Sequence, residues 1–141
     1  MMYEEPGDSV LLVLVDTSTS IGFDDVKPNI VDAVNGYLDG RTGKIIFFNH
    51  TVSDVYTRNS IHTGLFEMSG HTRLWDSFGQ VIDMHPYKNV NIGVYTDAKD
   101  TGSRQYTQQR VMSLLKTLHW NVTWLKETPE DDLKSIILYC V

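Results

Sequence analysis

Val10-Leu11-Leu12-Val13-Leu14-Val15, running straight into Asp16-Thr17-Ser18-Thr19-Ser20, is the stretch on which the fold turns. Six apolar residues without a polar break read as a strand buried on both faces, as in the middle of a parallel sheet. The run is far short of the roughly twenty residues needed to cross a bilayer. Glu4, Glu5 and Asp8 precede it where a signal peptide carries basic residues, so a leader is not expected. The polar stretch that follows places a carboxylate and several hydroxyls at the carboxyl end of that strand.

Outward from this strand, strand-like and helix-like segments alternate. Asp24 or Asp25 is expected to cap a helix with Val26, Ile30, Val34 and Leu38 on one stripe, ended by Gly40. Pro28 fits that helix because it falls in the first turn. Lys44 to Phe48 and Val52 to Tyr56 are close enough to form a hairpin about Asn49-His50, the second strand alternating like an exposed edge. Leu74, Phe78, Val81 and Ile82 stripe a second helix, and Val90, Ile92 and Val94 alternate as a strand. Val111, Leu114, Leu115 and Leu118 mark a third helix, followed by the strand Val122 to Leu125. Thr128, Pro129 and Asp131 read as the start of a last helix burying Leu133, Ile136 and Ile137. The order βαββαβαβα predicts one α/β domain over residues 1–141. It is a three-layer, Rossmann-like sandwich with a mostly parallel sheet, one antiparallel edge strand and helices on both faces.

Composition narrows the function. With 141 residues, 41% of them hydrophobic and 21% charged, the chain can bury a core. The formal net charge of −6 disfavours a nucleic-acid surface, which needs clustered Lys and Arg, and an anionic membrane surface. The single cysteine, Cys140, rules out an internal disulfide and is misplaced for prenylation. The triplets Asn49-His50-Thr51 and Asn121-Val122-Thr123 are common enough by chance to carry no weight as glycosylation sites. A reducing, cytoplasmic setting is expected.

Chemistry concentrates at the carboxyl ends of strands, where ligands bind in such sheets. Three segments supply oxygens there: Asp16 to Ser20, the loop Ser69-Gly70-His71-Thr72, and Thr96-Asp97-Ala98. Taken singly, these are ordinary caps and turns. Taken together and in order, they resemble the metal-ion-dependent adhesion site of von Willebrand factor A domains. That pattern is Asp-x-Ser-x-Ser after the first strand, a later loop Thr, and an Asp after the fourth strand. Asp16, Ser18, Ser20, Thr72 and Asp97 match it. Gly70-His71-Thr72-Arg73-Leu74-Trp75-Asp76 is similar to a Gly-Gly-Thr-x-Leu-x-Asp segment of many members, and Thr96 to Asp100 to their Thr-Asp-Gly-Glu-Asp. The resemblance spans roughly residues 9 to 137.

The resemblance implies Mg²⁺, with Mn²⁺ as an alternative, held directly by the hydroxyls of Ser18, Ser20 and Thr72. Asp16 and Asp97 would act mostly through water. A shell of neutral hydroxyls leaves the ion's charge poorly compensated, so a Glu or Asp from a protein partner can complete it. The implied function is a metal-dependent protein-binding module without catalysis, Thr72 and His71 facing the partner. His71 replaces a small residue of the family and has a plainer reading as an exposed loop imidazole. Ala98 stands where the family has Gly, and the chain ends without the extra C-terminal strand of larger members.

Two other functions compete. A phosphatase with Asp16 as nucleophile would need a second acid or base two residues on, where Ser18 stands. The same scaffold could also carry a vestigial metal site. The histidines His50, His62, His71, His85 and His119 lack zinc-type spacing and read as scattered surface or half-buried rings. Trp75, Trp120 and Trp124 read as packing residues. Gly40 to Lys44 precedes a strand and so is not a phosphate loop.

Overall fold

The computed structural model describes residues 10–97, 100 and 102–126. The expected last helix and Cys140 lie outside the described residues, as do Ala98, Lys99 and Thr101. Among the described residues, five strands and three α-helices run in the order β1 (Leu11–Asp16), α1 (Lys27–Leu38), β2 (Gly43–Phe48), β3 (Val52–Arg58), α2 (Leu74–Met84), β4 (Asn91–Tyr95), α3 (Gln108–Thr117) and β5 (Asn121–Trp124). The sheet order is β3-β2-β1-β4-β5. All neighbours are parallel except β2 and β3, which form the expected antiparallel hairpin and place β3 at an edge.

The apolar run of β1 divides between two cores, as the two-residue period of a strand requires. Leu12 and Leu14 join Ile46, Phe48, Ile92 and Val94 under α2 and α3, contributing Leu74, Phe78, Val81, Ile82, Val111 and Leu115. Val13 and Val15 join Ile45, Phe47 and Tyr95 under α1, contributing Ile30, Val34 and Leu38. Helices thus cover both faces of a Rossmann-like α/β sheet. All four β1 side chains are fully buried, and truncating either leucine to alanine costs about 2–5 kcal/mol. α1 comes so close to β4 that a Cβ on Gly93 would stand 2.7 Å from the Tyr37 ring.

Two local readings are corrected. Neither Asp24 nor Asp25 caps α1: both sit in a single turn of 3-10 helix, and the N-cap, Val26, has no side-chain bond. Lys27, at the first helical position, is instead 8% exposed, its ammonium 3.5 Å from Asp24, 3.4 Å from Glu67 and over the Phe66 ring. His85 is neither surface nor half-buried but 5% exposed, with Nδ1 3.2 Å from the Val81 carbonyl. Trp75 and Trp120 are buried as expected, and half-buried Trp124 packs against Phe78. Among the described residues no helix is long and apolar enough to cross a membrane.

The strand order fixes where the site must lie. From β1 the chain winds outward through β2 and β3, then returns to the other side of β1 at β4. This reversal opens a crevice at the carboxyl ends of β1 and β4, the place where ligands enter open α/β sheets.

Candidate functional site

β1 ends on Asp16 and β4 is followed by Thr96 and Asp97, so these residues flank the crevice. The Asp16 side chain is fully buried and engaged at both oxygens. Oδ1 accepts from the Ser18 backbone N–H at 2.8 Å, and Oδ2 accepts from the Thr96 hydroxyl at 2.9 Å. Burial pushes the Asp16 carboxyl up to about 6, against the pull of its hydrogen bonds to Ser18 and Thr96; the neighbouring Asp97 charge adds to the rise.

In front of Asp16, three hydroxyls meet. Ser18 Oγ lies 2.8 Å from Ser20 Oγ, Ser20 Oγ lies 3.1 Å from Thr72 Oγ1, and Thr72 Oγ1 donates to Ser18 Oγ at 2.5 Å. Ser18 and Thr72 are completely buried, whereas Ser20 opens to solvent. An octahedral Mg²⁺ shell with bonds of 2.0–2.1 Å sets adjacent oxygens about 2.9 Å apart. The three hydroxyls therefore have the dimensions of one octahedral face, with two carboxylates nearby to balance charge. Among the described residues no group of three His, Cys, Asp or Glu side chains suits a metal, so a cation would depend on these hydroxyls.

The loops carrying the hydroxyls are fastened to each other. The Thr17 carbonyl accepts from Ser69 N–H at 2.8 Å, and the Gly70 carbonyl accepts from Thr19 N–H at 3.1 Å. Asn49, just after β2, accepts from Arg73 N–H through its carbonyl at 2.9 Å and donates from Nδ2 to Ser69 Oγ at 3.3 Å. Thr72 is thus bracketed on both sides. Gly70 has φ 78°, and a Cβ there would come within 3.0 Å of His50 Nδ1, which accounts for glycine at this turn.

A second clasp secures the segment beyond Asp97. The Asp76 carboxylate, in the first turn of α2, accepts from the backbone N–H groups of Arg104, Gln105 and Tyr106, each at 2.8 Å. Burial works to raise the Asp76 carboxyl, but these three donors and the Arg73 charge outweigh it and hold it below the ordinary value. Asp100 Oδ1 and Ser103 Oγ in turn accept from the Trp75 and Asp76 N–H groups, completing the end of α2.

Of the residues singled out from sequence, Asp16, Ser18, Ser20 and Thr72 are brought together, with the half-buried Asp97 close enough to act on Asp16 electrostatically. His71 is exposed beside Thr72. Sequence reasoning gave no role to Thr17, Thr19, Asn49, Asp76 or Thr96. Asp76 and Thr96 fall in the segments that carry the resemblance, and Thr96 also follows a buried strand directly; Thr17, Thr19 and Asn49 act through partners distant in sequence.

No family model matches the sequence, and no curated protein matches it. Among solved structures, the crystal structure of conserved hypothetical protein BatB from Bacteroides thetaiotaomicron is similar, with a TM-score of 0.45 and 17% identity. The match covers 81% of this chain and 64% of that one, so this chain spans less than two thirds of BatB's length.

Proposed function

We propose that the protein is a von Willebrand factor A-type module that binds Mg²⁺ or Mn²⁺ in this crevice and uses the ion to hold a protein partner. The observation that carries the reading is the convergence of Ser18, Ser20 and Thr72 hydroxyls, 2.5–3.1 Å apart, from two separate loops. Three hydroxyls brought together from two loops, two of them buried, offer the oxygen donors that a small, hard cation takes. Asp16 and Asp97 would balance its charge from behind. Bound there, the ion supplies a Lewis-acidic position for an external carboxylate. Ser20 and His71 are both exposed, as residues meeting a partner's acidic side chain must be.

Binding without catalysis is the reading we favour over phosphoryl transfer. Both Asp16 oxygens are committed to hydrogen bonds inside the protein, which leaves a poor nucleophile. The direct test is calorimetry with a capped peptide bearing a single Glu, in Mg²⁺ and in chelator, beside the same peptide with Gln. Binding that needs both the Glu and the cation is expected. Equal heats with Glu and Gln peptides would contradict the carboxylate bridge, and turnover of a generic phosphoester lost in Asp16→Asn would favour the hydrolase.

A further inference from the structure

The five residues from Asp16 to Ser20 alternate in purpose. Asp16, Ser18 and Ser20 turn toward the crevice, while Thr17 and Thr19 turn away and hold the frame. Thr17 donates to the Phe48 carbonyl from its N–H at 2.8 Å and its hydroxyl at 3.0 Å, tying the loop to β2. Thr19 donates to the Gly70 carbonyl from its N–H at 3.1 Å and its hydroxyl at 3.2 Å, tying it to the loop of Thr72. Gly70 is two residues before Thr72, so the grip on its carbonyl governs how far the Thr72 hydroxyl stands from Ser18 and Ser20.

We propose that Thr19 is a positioning residue that sets which divalent cation the crevice accepts, by holding the Thr72 hydroxyl at the spacing of a Mg²⁺ shell. The inference rests on the metal-site reading above. Selectivity between Mg²⁺ and Ca²⁺ depends on cavity size and on how freely the ligands can spread. Ca²⁺–oxygen bonds of 2.3–2.6 Å widen the spacing of ligands at right angles to roughly 3.4 Å. A hydroxyl triangle with edges of 2.5–3.1 Å must open to admit that ion. Opening it means drawing Thr72 away from Ser18 and Ser20, a movement resisted by the two hydrogen bonds from Thr19 to the Gly70 carbonyl. Removing the hydroxyl half of that grip frees the loop to spread, at the expense of the smaller ion.

Calorimetric titration of the full chain with MgCl₂ and CaCl₂ tests this on the wild type, Thr19→Val and Thr19→Ser. Valine keeps the branched shape and the backbone bond but lacks the hydroxyl; serine restores the hydroxyl. In Thr19→Val, Mg²⁺ affinity is expected to fall about fivefold, the worth of one neutral hydrogen bond, with Ca²⁺ affinity unchanged or higher. Thr19→Ser should keep the wild-type ratio. An unchanged Mg²⁺-to-Ca²⁺ ratio in Thr19→Val, including an equal loss for both ions, overturns the inference and leaves the metal site standing. A wild type that binds neither ion overturns the metal-site reading and this inference with it. Melting in chelator establishes that each variant folds, and Thr19→Ala, held to the same expectation, replaces a valine variant that does not.

Discussion

The two halves of the crevice are built on opposite principles. The hydroxyl half, Ser18, Ser20 and Thr72, consists of neutral groups that satisfy one another and sit on loops stitched together by backbone bonds. The carboxylate half buries Asp16 completely beside Asp97, with neutral donors, the Ser18 N–H and the Thr96 hydroxyl, on its two oxygens. One half is stable as it stands. The other carries a cost that a bound cation would relieve, and this difference separates a site shaped for an ion from an ordinary pair of loops.

Removing the buried charge should break the comparison most strongly. Keeping Asp16 ionised at neutral pH against a folded value of about 6 costs about 3 kcal/mol. In chelator, Asp16→Asn should therefore raise stability in urea by up to that amount, since the amide can still accept from Ser18 N–H. The sign follows from linkage: the native state holds the extra proton between 3.8 and about 6, so wild-type stability falls as pH rises through that window. The variant should lose this slope. A chelator-treated Asp16→Asn less stable than wild type would mean that the carboxylate is already compensated within the fold.

Asp76 offers a smaller and more local test. Asp76→Ala removes three charge-assisted acceptor bonds at a partly exposed site, at a cost of about 1–2 kcal/mol. Amide exchange should speed up at Arg104, Gln105 and Tyr106, beyond Asp97, while the Thr19 amide keeps its protection. Equal loosening at Thr19 would show that the two halves are one cooperative unit, against the division drawn above.

His85 sharpens the pH measurement with the smallest effect. Its burial, with the Lys44 charge, lowers its value from 6.5 despite the Val81 carbonyl. The folded state therefore resists the proton, and stability falls as pH drops below 6.5. That slope opposes the one from Asp16, so the two partly cancel in the wild type. His85→Gln should flatten the decline just below 6.5 and expose the Asp16 slope; an unaltered profile would place the pH dependence elsewhere.

Much of the framework is readable from the residues because burial leaves a periodic trace. The unbroken run from Leu11 to Val15 specifies a central strand, and the stripes Ile30-Val34-Leu38 and Phe78-Val81-Ile82 specify helices packed on a sheet. Asp16, Ser18, Ser20, Thr72 and Asp97 were legible as a set through the resemblance to the adhesion-site pattern, and the strand order then brings their segments to the same end of the sheet. Thr19 and Asn49 were not, since their roles depend on the Gly70 carbonyl, the Arg73 amide and the Ser69 hydroxyl, all distant in sequence. The burial of Lys27 is hidden for a related reason, since Glu67 and the Phe66 ring, which compensate it together with Asp24, are distant in sequence. Asp76 closes a segment that carries the resemblance, but its clasp joins residues 28 to 30 positions apart through main-chain donors, a role with no trace in the sequence.

The central claim, that the hydroxyl triangle and its buried carboxylate form a cation site, is tested most directly by melting the wild type and Ser18→Ala in Mg²⁺ and in chelator. At a hundredfold excess over its dissociation constant, an ion that binds only the folded state adds about 2.7 kcal/mol. The wild-type curves should separate by several degrees, and those of Ser18→Ala, which lacks one corner of the triangle, should coincide. Superimposed wild-type curves at millimolar Mg²⁺ and at millimolar Mn²⁺ would contradict the claim.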